Sequence, residues 1–85
     1  MISYSKQLTI CNSTRERIKQ AIAHSDDASV RSKVNQIPTS ESILRAVSLL
    51  PEIDTEEKLR DFIIEHVLSE LRLTEIQREH LNLNS

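Results

Sequence analysis

The residues that could do chemistry begin at Lys6. In "KQLTIC", Lys6 to Cys11, Gln7, Thr9 and Cys11 alternate with Leu8 and Ile10. A period of two over four or more residues is the pattern of a half-buried strand. As a strand, the stretch presents a polar row on one side and two apolar side chains on the other. Gln can hydrogen-bond both edges that adenine offers in the DNA major groove, and Thr can bond a base edge or touch a thymine methyl. Lys6 would then lie near phosphate. A second helix opening at "PTSES" supplies Thr39 and Ser40, whose hydroxyls and free backbone N–H groups suit a phosphate clamp.

Other chemistry has little support. His24, His66 and His80 are isolated and sit in no metal-ligand spacing with Cys11 or the carboxylates. His66 and Glu70 stand one helical turn apart and read as a surface or interface pair. With no glycine in the chain, a Gly-rich phosphate loop is excluded. Cys11 has no nucleophile context. The sequence therefore predicts no enzyme, metal, cofactor or small-molecule substrate. One cysteine allows no internal disulfide, which points to a reducing compartment. No leader or membrane-spanning run is visible, so a cytoplasmic protein is expected, and Asn12-Ser13-Thr14 is not read as a glycosylation acceptor.

The elements that must position these residues are mostly helical. Met1 to Ser5 read as an arm and residues 8–11 as the strand. Asn12 or Ser13, with Ser13-x-x-Glu16 as a capping box, opens a first helix whose stripe holds Ile18, Ala21 and Ile22. The segment "HSDDASVRSKVNQ" reads as a fraying extension of that helix or as a loop. Ile37-Pro38 interrupts it. A second helix, "SESILRAVSLL", turns Ile43, Leu44, Val47 and Leu50 inward. Asp54-x-x-Glu57 opens a long third helix with Leu59, Ile63, Val67 and Leu71 at four-residue spacing, joined by Phe62, Ile64 and Leu68. That apolar face is wide enough to need other helices or a second subunit. Thr74-x-x-Gln77 restarts a short final helix, and the tail "NLNS" frays. Turns needing positive φ fall to Asn or Asp, because glycine is absent.

Size and charge bear on partners. Eighty-five residues with one Tyr, one Phe and no Trp give a small core, so oligomerisation is the expected remedy. The net charge of −2 divides unevenly. Up to Leu50 seven basic residues face four acids, a net of +3; beyond it four face nine, a net of −5. The two halves thus suit different partners. A lone strand needs an external strand, most simply its own copy across a twofold axis.

Strand, helix, turn and helix, in "LTICNSTRERIKQAI" and "SESILRAVSLL", resemble the ribbon-helix-helix DNA-binding superfamily, with the nearest look to the TraM family of plasmid conjugation proteins. "LRDFIIEHV" is similar to the start of that family's oligomerisation helix. The resemblance implies a mainly α fold: a ribbon-helix-helix region over 1–50 and a helical oligomerisation extension over 51–85, within one compact unit. It implies a homodimer, or a tetramer made of two such dimers, that binds double-stranded DNA. Gln7, Thr9 and Cys11 fall on base-reading positions, and Lys6, Thr39 and Ser40 on phosphate. The dimer core would hold Leu8, Ile10, Ile18, Ile22, Ile43, Leu44 and Val47, and the oligomer interface Leu59, Phe62, Ile63, Val67 and Leu71. Repression, or an accessory role in plasmid or phage DNA processing, would follow. Lys6 departs from the pattern, standing where an apolar strand residue belongs. From "SESILRAVSLL" to "TEEKLRDFIIEHVL" the chain is also similar to small all-helical regulators of biofilm formation and acid resistance, which act through protein contacts. A third reading is an antitoxin-like module whose acidic C-terminal helix covers a basic partner.

Overall fold

The computed structural model describes residues 2–81 and 83, and among them there is no strand. Residues 8–11 lie inside a twenty-residue helix, α1, Tyr4–Ala23. Ser3 caps it, its Oγ accepting from the Lys6 N–H at 3.3 Å. The ribbon-helix-helix expectation is therefore overturned at its first element. The physical reason lies in the apolar spacing. Ile10, Cys11, Thr14, Ile18 and Ile22 are all buried on α1, and steps of three to four residues join them into one helical stripe. A helix also pairs its own backbone groups, where a lone strand leaves them open. Ser13 and Glu16, expected to begin the helix, are exposed positions in its middle. Tyr4 and Ser5, expected in an arm, are its first turn.

The chain after α1 breaks rather than extends. Asp27 caps a single-turn helix, α2, Ala28–Arg31, accepting from the Ser29 and Val30 N–H groups. A 3-10 turn, Val34–Gln36, leads to Pro38. Helix α3, Ser40–Val47, is capped by Thr39, which accepts from the Ser42 N–H at 3.2 Å. Helix α4, Glu56–Glu70, is capped by Thr55, one residue beyond the expected Asp54, which instead meets Lys58 Nζ at 3.0 Å. Helix α5, Glu75–Leu81, opens on a reciprocal box as expected. The Thr74 N–H donates to Gln77 Oε1 and the Gln77 N–H to Thr74 Oγ1.

Helix α4 ends without glycine. Arg72 takes φ 56°, the Arg72 N–H donates to the Ser69 carbonyl and the Leu73 N–H to the Leu68 carbonyl. That is a Schellman closure, with buried Leu68 and Leu73 as its apolar contact. The left-handed turn thus falls to an arginine, not to Asn or Asp. Lys33 Nζ reaches across to the Leu71 carbonyl at 2.8 Å.

Helix α4 packs along α1, and α3 lies on α1 beside it. Ile18, Ile22, Ile43, Leu59, Ile63, Val67 and Leu71 are almost completely enclosed, and Ile10, Leu44 and Val47 are buried with them. Leu8 and Phe62 pack against this core while half-buried. The residues expected to form a dimer core and an oligomer interface are thus covered by their own chain. Two amphipathic faces that looked separate along the sequence close on each other. Arg17 donates to the Leu83 carbonyl at 3.1 Å, and both Leu81 and Leu83 are buried. The rest of the tail expected to fray, residues 82, 84 and 85, lies outside the described residues.

Candidate interaction site

The expected DNA-reading residues do not share a face. On a helix, Gln7 and Cys11 lie one turn apart while Thr9 points away from both. Half-buried Gln7 donates to the Ile2 carbonyl at 3.0 Å, and Thr9 donates to the Ser5 carbonyl one turn back. Cys11 is fully enclosed. Burial pushes its thiol above the ordinary value, although a hydrogen bond with Ser40 and the Arg15 charge act the other way. A side chain with no exposed surface reads no base. Lys6, expected on phosphate, pairs with Glu56 at 3.0 Å.

The expected phosphate clamp at the start of α3 is occupied from within. Ser40 is buried, donates to Asn12 Oδ1 at 2.5 Å and accepts from Arg15 Nη1 at 3.4 Å. Arg15 Nε also donates to the Pro38 carbonyl at 2.8 Å. Thr39 is spent on the cap. Together Asn12, Arg15 and Ser40 form a polar joint between α1 and α3, which the strand assignment hid because Asn12 and Arg15 then stood at a helix start.

Concave surface lies in other places. A hollow of about 630 Å³ opens where α1, α2 and α5 meet, and includes His24, Asp26, Asp27, Gln77 and His80. Its Asp27 is already committed: the Gln77 amide donates to one oxygen and the α2 cap N–H groups to the other. Those hydrogen bonds, the Gln77 one foremost, hold its carboxyl below the usual range. Among the described residues no group of three or more His, Cys, Asp or Glu is placed to hold a metal ion. His66 stacks on Phe62 with ring centroids 5.4 Å apart, and its Nε2 lies 3.9 Å from Glu70 Oε1. That pair sits on the flank of α4.

A groove of about 230 Å³ runs between α4 and α5. Ile64, Leu68 and Leu83 supply apolar walls, and Glu65, Glu75 and Glu79 supply acid. Arg78 Nη1 neutralises Glu65 at 2.6 Å, with Nη2 on Ser69 Oγ. Glu75 and Glu79 have no cation within pairing distance among the described residues. Next to Glu75, Ile76 is 67% exposed. A cleft of mixed apolar and acidic lining, with two unbalanced carboxylates, suits a segment that carries basic residues beside an apolar face. The sequence marked this region only through its excess of acid.

No helix among the described residues is long and apolar enough to cross a membrane. No protein-family model, curated protein or solved structure matches the chain.

Proposed function

We propose that the protein is a small all-helical interaction regulator that binds a partner protein through the groove between α4 and α5. The partner segment is an amphipathic helix with Lys or Arg beside an apolar face. The observation that carries this reading is exposed Ile76 beside the unpaired carboxylates Glu75 and Glu79, which line the groove together with Ile64, Leu68 and Leu83. Apolar contact supplies affinity, while the carboxylates select sign and speed encounter. The alternative, a β-ribbon in the major groove, finds no strand among the described residues.

Panning a random peptide library against the full chain tests this reading. Enriched peptides should carry basic residues flanking Leu, Ile or Phe at helical spacing. Their affinity should fall about tenfold or more in Glu75→Lys/Glu79→Lys, and fall with salt. No enrichment, or enriched peptides indifferent to that double reversal, sinks the proposal. Duplex DNA bound tightly at low salt, with no peptide enriched, would return the function to nucleic acid.

A further inference from the structure

A second surface, remote from the groove in sequence, has a different charge order. Glu41, Leu44, Arg45 and Ser48 recur at i, i+3, i+4 and i+7 on α3, and with Tyr4 of α1 they line one shallow depression. Tyr4 is 61% exposed and Leu49, the residue after Ser48, 78% exposed. These are two of the three large apolar side chains that the described residues leave in water. Glu41 and Arg45 stand one turn apart, the spacing at which opposite charges usually pair, yet neither forms an ion pair among the described residues. The face therefore holds one free acid and one free base in fixed order along a short helix, with apolar surface beside them.

From this order we infer that the face is a homodimer contact, its occupant a second copy of the same chain. A twofold axis across α3 sets the partner's helix antiparallel. Glu41 then faces Arg45 of the partner subunit, and Arg45 faces Glu41 of the partner subunit, so both charges find their opposites at once. A partner of one sign has nothing to gain here, since the face carries no net charge. A surface with the reciprocal order is guaranteed on only one molecule, which is another copy. Tyr4 and Leu49 lose water in the same step, and a tyrosine is well suited to anchor a contact because it buries much area with few rotatable bonds. The contact uses none of the α4–α5 groove, so a dimer keeps two grooves open.

Sedimentation velocity on the full chain, over roughly 1 µM to 1 mM, reads the association. The parent should dimerise within that range, and Glu41→Arg and Arg45→Glu should each raise the dissociation constant about tenfold or more, because two attractions become two repulsions. An equimolar mixture of those two reversals should restore dimers, since each then meets the opposite sign. Leu49→Asp should also dissociate the dimer, and no mixture should rescue it. Circular dichroism confirms that each variant is folded, and Glu75→Lys/Glu79→Lys should dimerise as the parent does. A parent monomeric throughout the range overturns the inference. So does a mixture of the two reversals that stays monomeric.

Discussion

At the start of α3 the chain closes a helix end with side chains; at the end of α4 it uses the backbone. Around α3, Thr39 takes one orphan N–H, and Asn12, Arg15 and Ser40 form a joint tied through the Ser40 hydroxyl, with Arg15 also on the Pro38 carbonyl. Around α4, Arg72 turns left-handed so that two N–H groups fold back onto the helix carbonyls, with Lys33 on the last of them. The side-chain solution is unstrained but interdependent, because losing one member strands the rest. The backbone solution draws on side chains only through Lys33 and the apolar pair Leu68 and Leu73, but it forces a Cβ into a region that suits glycine. One joint should therefore tolerate no simplification, and the other should improve with it.

The largest effect that would break this contrast is expected at Ser40. Ser40→Ala removes the group between Asn12 and Arg15 and should cost about 0.5–1.5 kcal/mol in urea unfolding, the net worth of the hydrogen bonds lost, since exposed Asn12 and half-buried Arg15 can turn to water. Combining it with Asn12→Ala should cost less than the two separate losses together, since both act on one network. At the other joint, Arg72→Gly should raise stability by about 0.5–1 kcal/mol, relief of the left-handed strain exceeding the added chain entropy. A loss on that substitution would mean that the arginine side chain, not the turn, holds the end of α4.

The smallest effect concerns pH, and it sharpens the side-chain case. The Cys11 thiol beside Ser40 ionises above its ordinary value near 9.0 because it is buried. A raised value means that the folded state keeps its proton where the unfolded chain loses it. The contribution is full below about pH 9 and disappears as pH climbs through the higher folded value. Relative to Cys11→Ala, the parent should thus lose stability in denaturation curves as pH rises past the ordinary thiol value, and should be nearly inert to thiol alkylation until it unfolds. Parallel curves for the two proteins would place the thiol outside the joint.

How much of this was legible depends on the length of the pattern. Over α4 the stripe of Leu59, Ile63, Val67 and Leu71 repeats through three turns, and all four are buried. Over residues 8–11 only two polar–apolar alternations exist, and the same Ile10 and Cys11 serve equally as the first members of the α1 stripe. Two capping signatures make the same point. Thr74-x-x-Gln77 forms its box because the backbone has just left α4 at Arg72. Ser13-x-x-Glu16 forms none, because nothing before Ser13 stops a helix already under way. The groove of Ile64, Glu75 and Glu79 and the face of Tyr4, Glu41, Arg45 and Leu49 were not legible. Both depend on which side of a helix stays uncovered, and a charge count cannot supply that.

The tie between Arg17 and the Leu83 carbonyl has a further consequence, for the order in which the molecule can be made. It joins residues 66 positions apart, and the main partner of α1 is α4 rather than the helix that follows it. During synthesis the apolar stripe of α1 is therefore covered only in part, by α3, until α4 has also been made. Pairings between distant parts of a chain also close more slowly than local ones, so this small helical protein should fold less quickly than a bundle whose neighbours in sequence are neighbours in space.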